Sequence, residues 1–484
     1  MSSSGLGSRA AVVIVFATSA AVLVLEILAG RLLAPYVGVS LETYTGIIGT
    51  VLAAIAAGTA LGGKLADRVD PRRLLGPTLI IGGVLAWLSL PLLSLLGPTS
   101  GDGPLSIVVL TAWAFFLPAA VLSAASPMVA KLRLHDLHQT GSVVGGLSAA
   151  GTAGALFGTF ATGFILVAAM PTRPIVLGVG AGLVAGGLLL WWRFATTMPT
   201  RPTAAVVFVA VVGSLGIGAA NPTSCQWETG YYCVNVEHDP FRADGRVLHL
   251  DTMRHSYVDL ADPTHLEFRY VQHFAAVAAT LGSGPIDTLH IGGGGFTFPR
   301  YLAATRAGGA NVAIEIDDEL VRIAEERLGL VQGTDLEVLV GDARGLLRRQ
   351  PSARFDLVVG DAFGGMSVPW HLTTSEFVGE LDRVMRPGGI YVLNVIDGGP
   401  VRFARAQTAT LLDQFDHVVV IAPVAQTSTP SNYVLVASRS PIGDLGVAPT
   451  DATVLRGSEV LTFADGARVL VDDFAPVDQL LSRG

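Results

Sequence analysis

The sequence predicts an α-helical membrane bundle of about seven helices, followed by an α/β domain built on a doubly wound parallel sheet. Of the 484 residues, 51% are hydrophobic and 14% are charged, and the mean hydropathy is +0.55. These values are too apolar for one soluble domain. In the second half, short apolar runs alternate with amphipathic runs, which is typical of a sheet whose strands are connected by helices.

Charge divides the chain near residue 220. Residues 1–220 contain 11 basic and 6 acidic side chains, net +5, whereas residues 221–484 contain 20 basic and 33 acidic side chains, net −13. The acidic part argues against nucleic acid as a partner, because binding to the phosphate backbone needs a concentrated basic face. An acidic domain suits a cationic ligand, although this sign of charge is also ordinary for soluble domains.

Seven apolar stretches are long enough to cross a hydrocarbon core, which takes about 20 residues. Glycine and alanine are dense within them, as in "GLSAAGTAGALFGTFATG", and small residues let membrane helices approach closely. The lipid bilayer is therefore an expected partner. The predicted spans are Ala10–Leu28, Thr45–Gly63, Leu75–Leu96, Ser106–Val129, Val143–Ala168, Pro174–Trp192 and Thr203–Ala220.

Basic residues in the loops predict the orientation. Alternate loops are rich in Lys and Arg, and short loops of this kind remain cytoplasmic. We therefore expect a multi-pass protein of the cell membrane with a cytoplasmic N-terminus and, after seven crossings, an extracytoplasmic second half. Cys225 and Cys233 follow the last span and would form a disulfide in an oxidising compartment or remain free thiols in the cytosol. A count wrong by one helix would invert this orientation.

Two further features of the first half raise the possibility of transport. Glu26 lies within the first span, where an ionisable residue is a candidate for function, although pairing, helix packing or an interfacial position would also explain it. The run from Gly58 to Arg73, "GTALGGKLADRVDPRR", resembles the loop after the second helix of major facilitator transporters. A cytoplasmic turn with basic residues would equally explain this run.

In the second half, acidic residues follow predicted strands. "LHIGGGGFTFPRYL" is a strand, a glycine turn and a helix start, and Glu315 comes 23 residues after Gly292 at the end of the next strand. Asp342 and Asp361 end the two strands after that, and "GGIYVLNVI" is a fifth strand. Since ligands bind at the carboxyl ends of such strands, the glycines and acids predict a nucleotide or nucleoside site. Phe298 stands where a dinucleotide loop would have its third glycine, and each acid alone could be a helix cap.

These motifs resemble those of spermidine synthases, the polyamine aminopropyltransferase family. "HIGGGGFTFPRYL" is similar to the cofactor loop of that family, "AIEIDDELVRIA" to its ribose segment, "VLVGDAR" to its adenine segment and "FDLVVGDAFGG" to its catalytic segment. "VLHLDTMRHSYVDL" and "LEFRYVQHF" resemble its small N-terminal β-hairpin region. Membrane helices followed by this domain resemble bacterial proteins described as fused major-facilitator/spermidine-synthase-like.

The resemblance implies a role for each matching residue. The cofactor would be decarboxylated S-adenosylmethionine or a related adenosyl compound, acting as cosubstrate without a metal. A small cationic amine would be the acceptor, and a homodimer is an allowed assembly. The implied sites are Gly292, Gly293 and Gly294 for the tail of the cosubstrate, Glu315 for ribose, Asp342 for adenine, Asp361 as the catalytic base, and Tyr270, Gln272, Trp370 and His371 for the acceptor.

The chain departs from the family pattern at two acids that would bind a diamine. Gly295 stands where the cofactor loop carries aspartate, and Gln272 where the hairpin region carries glutamate. Asp259, Glu267, Asp397 or the acids of the terminal "DDFAPVD" could compensate. His371 could be a second base or a hydrogen-bonded structural histidine. No cluster of the 10 histidines has the spacing of metal ligands.

Three functions follow from these observations. The first is a membrane-embedded transferase that moves an aminopropyl group to an amine. The second is an S-adenosylmethionine-dependent methyltransferase, and the third is a polyamine or nucleoside transport or sensing protein with a non-catalytic domain. The predicted domains are residues 1–220 (transmembrane), 221–282 (linker and β-hairpin region) and 283–484 (a Rossmann-like, methyltransferase-type nucleoside-binding domain).

Overall fold

The computed structural model describes residues 6–101, 103–134, 140–194, 201–221, 224–424, 429–448, 450 and 452–481, and of residues 201–203 only the backbone. The chain forms two compact units, Met1–Cys233 and Val234–Gly484. The first contains long apolar helices, and the second is an α/β unit.

Six helices of the first unit are long and apolar enough to cross a membrane, by length and composition. A further helix covers the seventh predicted stretch; its fully described part, Ala204–Ala220, is shorter than the other six, so seven spans are not confirmed. The helices are α1 (Ser8–Val37), α2 (Leu41–Arg68), α3 (Pro71–Leu96), α4 (Pro104–Arg133), α5 (Thr140–Ala169), α6 (Thr172–Phe194) and α7 (Arg201–Ala220).

Glycines allow close packing within this unit. A Cβ atom at Gly58 of α2 would lie 2.0 Å from the carbonyl oxygen of Ala120 in α4, and one at Gly154 of α5 would lie 2.2 Å from that of Phe16 in α1. Both positions therefore require glycine, because a side chain would overlap the neighbouring backbone. This is the expected packing of helices that have no hydrophobic drive to associate in lipid.

A short loop after α7 is held to α1 and α6 by hydrogen bonds and an ion pair. Cys225 and Cys233 form a disulfide, and the strand β1 (Trp227–Glu228) lies between them. The carboxylate of Glu228 accepts from the backbone N–H of Thr172 at 3.0 and 3.1 Å, and its Oε1 lies 3.3 Å from Nε of Arg31. Arg31 also donates to the carbonyl oxygens of Thr229 and Gly230.

The second unit begins with an antiparallel meander. Its strands are β2 (Cys233–His238), β3 (Gly245–Leu250) and β4 (Met253–Asp259). β3 pairs with both β2 and β4, with an irregularity at Leu248 and His249. The helix α8 (Arg269–Ala279) follows.

A mixed eight-stranded sheet forms the core of the second unit. The strand order is β12-β10-β11-β9-β8-β5-β6-β7. β5 to β9 are parallel, as the sequence predicts. The strands are β5 (Thr288–Ile291), β6 (Asn311–Glu315), β7 (Leu336–Val340), β8 (Phe355–Gly360), β9 (Met385–Asp397), β10 (His417–Ala422), β11 (Ser431–Ser438) and β12 (Thr453–Leu455).

The prediction of a purely parallel sheet is wrong at one edge. β11 runs antiparallel to both β9 and β10, and β10 runs antiparallel to β12. No helix separates β10 from β11 in the described residues between them, and a parallel connection would need a crossover of a dozen or more residues. Helices cover the sheet as α9 (Thr297–Thr305), α10 (Asp318–Arg327), α11 (Ala343–Leu347), α12 (Ser375–Val384), α13 (Arg402–Gln414), α14 (Ser458–Ala464) and α15 (Val477–Leu481).

The topology locates the crevice. β5 is the first parallel strand along the chain, and its neighbours β6 and β8 lie on opposite sides of it. The chain therefore leaves β5 in one direction across the sheet and later returns to its other side, which opens a crevice beyond the carboxyl end of β5. The glycine loop and Asp361 both lie at this edge.

Candidate active site

The glycine loop packs directly on the backbone after β8. Gly292 has φ +94°, and a Cβ atom there would lie 2.4 Å from the carbonyl oxygen of Asp361. Gly294 has φ +51°. Both conformations favour glycine. The loop therefore passes close to the backbone at Asp361 without a side chain at Gly292 or Gly294.

Glu315 ties the glycine loop to the end of β6. Its Oε2 accepts from the backbone N–H groups of Gly293 at 2.8 Å and Gly294 at 3.2 Å. Its Oε1 accepts from Asp317 N–H at 3.0 Å. Burial raises the pKa of Glu315 in spite of these bonds. A carboxylate has about four acceptor positions, so three backbone donors leave roughly one position for a further hydrogen bond.

Asp342 caps a helix and pairs with His371. One carboxylate oxygen accepts from Gly345 N–H at 2.8 Å at the start of α11, and the other lies 3.0 Å from Nε2 of His371. The side chain of Asp342 is half exposed, and Trp370 next to His371 is exposed. The structure thus brings His371 to the carboxylate assigned to adenine, and it does not place His371 or Trp370 among the residues that line the cavity around Asp361.

Asp361 follows β8 and is held by two neutral donors. Asn394 Nδ2 donates to Oδ1 at 2.9 Å, and the Tyr270 hydroxyl donates to Oδ2 at 3.1 Å. Asn432 Nδ2 donates to Asn394 Oδ1 at 2.9 Å and thereby orients it. Burial raises the pKa of Asp361 to about 6, and the bonds from Asn394 and Tyr270 limit the rise. A carboxylate in this state can accept a proton near neutral pH.

The two asparagines were missed by the sequence analysis. Asn394 is a buried polar residue inside an apolar strand run, "IYVLNVI", whereas Asn432 is exposed near the start of β11, "SNYVLVAS". A buried amide in a strand must find a hydrogen-bond partner. This pattern was the available signal for Asn394, and it does not identify the partner.

An aromatic cavity of about 30 Å³ adjoins Asp361. Such a volume holds one or two water molecules or a group of similar size, such as an ammonium. Its aromatic wall is formed by Phe268, Tyr270, Phe274 and Phe298, and Glu267 is the other acidic residue that lines it. Gln272 is exposed and donates to the carbonyl oxygen of Leu266 at 2.7 Å, and it is not a lining residue.

Two histidines line the same cavity in neutral form. Burial lowers the pKa of His255 to about 4. Burial also lowers the pKa of His290 to about 3, and a hydrogen bond with Asn311 opposes this. At neutral pH these histidines add no positive charge, so the cavity keeps the negative potential of its carboxylates.

β4 packs against the position where the resemblance expects an aspartate. Gly295 N–H donates to Ser256 Oγ at 3.1 Å, and His255 Nδ1 lies 3.0 Å from the same oxygen. A Cβ atom at Gly295 would lie 2.7 Å from Cβ of Ser256. Because Gly295 has no side chain, β4 lies closer to the glycine loop than it could if an aspartate stood at this position.

Three of the other acids suggested as substitutes already have protein partners. Asp259 accepts from Arg242 and from the N–H groups of Ala261 and Asp262. Asp397 accepts from Gly398 and Ala404 N–H at 2.7 and 2.9 Å. Asp472 forms a bidentate pair with Arg344 at 2.7 and 2.5 Å. Of the acids considered, only Glu267 reaches the cavity.

Comparison with known proteins agrees with this fold. The family described as "Methyltransferase domain" matches residues 289–393. A polyamine aminopropyltransferase of Chromobacterium violaceum is 26% identical over 197 residues, which cover 40% of this chain and 72% of that protein. A polyamine aminopropyltransferase of Vibrio vulnificus is 32% identical over 112 residues, covering 23% of this chain and 38% of that protein.

Two further matches extend the comparison. Polyamine aminopropyltransferase 2 of Streptomyces coelicolor is 29% identical over 357 residues and covers 66% of this chain and 61% of its own length. Such a match is too long to be confined to the α/β unit. The crystal structure of a probable spermidine synthase from Corynebacterium glutamicum aligns with 53% of this chain and 99% of its own, with 27% identity and a TM-score of 0.49. The second unit is a Rossmann-like domain with similarity to polyamine aminopropyltransferases.

Proposed function

We propose that this protein is a membrane-anchored transferase that moves an aminopropyl group from decarboxylated S-adenosylmethionine to an amine. The observation that carries the proposal is Asp361, a partly buried carboxylate with a raised pKa, at the carboxyl end of a parallel strand and beside an aromatic cavity. The similarity to polyamine aminopropyltransferases supports the same reaction.

The reaction needs one base. The acceptor enters as an ammonium ion, and Asp361 attracts it and takes one of its protons, which frees the nitrogen lone pair. That nitrogen attacks the aminopropyl carbon next to sulfur; a C–N bond forms, the C–S bond breaks, and its electrons remain on sulfur. Methylthioadenosine leaves as a neutral thioether, so the leaving group needs no acid. The Tyr270 hydroxyl orients the carboxylate, because its pKa lies well above 10 and it stays protonated.

The nucleoside would lie across the edge formed by β5, β6 and β7. Gly292 to Gly294 would face its methionine-derived tail, Glu315 would accept from a ribose hydroxyl, and Asp342 would accept from the adenine amine. Each oxygen of Asp342 already accepts one bond, from Gly345 or from His371, so the adenine amine would use a remaining acceptor position or displace His371. His371 and Trp370 would then border the adenine end, and the acceptor would bind on the Tyr270 side.

The test uses the full-length protein in detergent. We expect calorimetry to show binding of decarboxylated S-adenosylmethionine, and mass spectrometry to show methylthioadenosine and an aminopropylated amine in equal amounts. Asp361→Asn should remove turnover and retain nucleoside binding. The matched control is Asp416→Asn, because Asp416 is an exposed aspartate immediately before β10. Transfer of a methyl group from S-adenosylmethionine would instead identify a methyltransferase.

A second candidate is a transport or sensing protein whose α/β unit binds without turnover. This candidate is favoured because the carboxylates of Glu315 and Asp342 already form hydrogen bonds with groups of the protein itself. Tight nucleoside or amine binding without product, together with loss of membrane flux in Glu26→Gln, would support it. Product formation that is unchanged in Glu26→Gln would argue against it.

Orientation in the membrane decides where the reaction could occur. The disulfide between Cys225 and Cys233 supports an extracytoplasmic second unit, which requires α7 as a seventh crossing. The adenosyl donor would then have to be supplied across the membrane. An impermeant reductant followed by an impermeant maleimide should label the two cysteines on intact cells, whereas labelling only after lysis would place the unit in the cytoplasm.

A further inference from the structure

Glu26 is an acidic residue within the apolar helix α1. It is half-buried, and it forms no hydrogen bond or ion pair with any residue that the structure describes. The other ionisable residue in this part of the helix, Arg31, already contacts Glu228 and the carbonyl oxygens of Thr229 and Gly230. An ionised carboxylate in apolar surroundings needs a neutralising partner, and no described side chain supplies one.

Helix α5 packs closely on the side of α1 that carries Glu26. A Cβ atom at Gly151 of α5 would lie 3.3 Å from Oγ of Ser19. Glu26 comes seven residues after Ser19, which is about two helical turns, so both lie on the same side of α1. A carboxylate on this side can therefore be reached from α5.

The glycine contacts also fix the level of Glu26 along α5. Gly154 meets Phe16, and Gly158, four residues further on, meets Ala20, where its Cβ atom would lie 2.5 Å from the carbonyl oxygen. The two helices therefore run parallel at this contact. Continued by six residues along α1, the same register places Glu26 beside the segment Thr162–Leu166 of α5.

The segment Thr162–Leu166 is π-helical and has one buried side chain, that of Thr162. Outside its own helix, the segment packs chiefly against α1. The Thr162 hydroxyl is buried and has no hydrogen-bond partner among the described residues, whereas the buried hydroxyl of Thr111 in α4 donates to the carbonyl oxygen of Ile107 at 2.7 Å. π-Helical turns are frequent at functional sites, and a buried hydroxyl without a partner requires an explanation.

We propose that Glu26 and Thr162 bind a monovalent metal cation of the size of Na⁺ between α1 and α5. The cation would neutralise the carboxylate and would use the hydroxyl oxygen that has no other partner. Carboxylate and hydroxyl oxygens are hard ligands, and an irregular helical turn among apolar helices is where secondary transporters bind their coupling ions. The site lies wholly within the first unit, so it does not depend on the proposed transferase function and would give this unit a ligand of its own.

The test measures the binding of radioactive sodium to the full-length protein in detergent, in a buffer whose only other cation is choline. We expect saturable binding to wild type and a loss of at least about tenfold in affinity in Glu26→Gln, because the neutral amide cannot balance the charge of the ion. Thr162→Val keeps the shape of the side chain and should weaken binding by about threefold or more. The matched controls are Glu42→Gln, an exposed acid in the first turn of α2, and Thr111→Val.

Each outcome decides on the site. Absence of saturable sodium binding to wild type overturns the proposal, and so does equal binding to wild type and Glu26→Gln. Binding that is lost in Glu26→Gln and unchanged in Thr162→Val also overturns it, because the ion would then not lie between α1 and α5. Equal losses in the two control variants would refute a local site. If Glu26→Gln does not elute as a folded protein in size-exclusion chromatography, Thr162→Val decides alone.

Discussion

Replacing Asp361 by asparagine should stabilise the α/β unit while it removes catalysis. Burial raises the pKa of Asp361 from 3.8 to about 6. Because the folded-state pKa exceeds the unfolded one, the stability from this group is fully present below pH 3.8 and is lost as the pH rises through 6. The loss corresponds to about 3 kcal/mol at pH 8, at about 1.4 kcal/mol per pKa unit.

Asparagine keeps most of the local hydrogen bonds. Its carbonyl oxygen can still accept from Asn394, and its amide can donate to the Tyr270 hydroxyl, which reverses its role. Allowing about 1 kcal/mol for imperfect geometry, we expect a gain of about 2 kcal/mol at pH 8. This gain should shrink by about 2 kcal/mol by pH 4.5, where most of the penalty on the wild type has disappeared.

Hydrogen–deuterium exchange of the full-length protein measures this locally. Peptides covering β5 and β8 should exchange about 30-fold more slowly in Asp361→Asn than in wild type at pH 8, and at similar rates at pH 4.5. Asp287→Asn is a control of opposite sign: despite burial, bonds from Ala310 N–H and Arg386 lower the pKa of Asp287, so its loss should reduce protection at pH 8. A difference for Asp361→Asn that is independent of pH would refute the reasoning.

Three further predictions concern the same edge of the sheet. If Asp361 is the base, kcat/KM should rise with pH through about 6. The Asn394→Leu variant should move this rise to higher pH, because the bond from Asn394 lowers the pKa of Asp361. A midpoint that stays the same in stopped-flow pH profiles of the two proteins would contradict this. His371→Ala should leave adenosyl binding unchanged or tighter by calorimetry, since it frees one Asp342 oxygen, whereas a loss of more than about tenfold would make His371 part of the nucleoside site. Gly295→Asp should lower the thermal unfolding temperature through overlap with Ser256, and the added change Ser256→Gly should restore it; failure of this rescue would locate the strain elsewhere.

The sequence predicted the parallel half of the sheet because four of its five strands end in a recognisable motif and the fifth, β9, contains the apolar run "IYVLNVI". β5 to β9 all correspond to runs whose pattern predicts strands. β10, β11 and β12 carry no such motif, and their antiparallel placement depends on which sheet edge remains free. That is a tertiary property, and local patterns do not contain it.

The site was predictable to the level of strand ends. Glycines and acids at the ends of parallel strands must meet at one edge, so Glu315, Asp342 and Asp361 were identifiable from the sequence. Their partners were not, because the bonds from Asn394 to Asp361 and from His371 to Asp342 join residues about 30 positions apart. Which oxygens remain for a ligand depends on those bonds.

The loop closed by Cys225 and Cys233 has a consequence for the integrity of the chain. A protease that cuts between these residues, for example at Tyr231, leaves the fragments before and after the cut joined through sulfur. The α/β unit would therefore stay attached to its helices after such a nick and separate only when a reductant is added. On a gel, the nicked protein would run at full length without reductant and as two fragments with it.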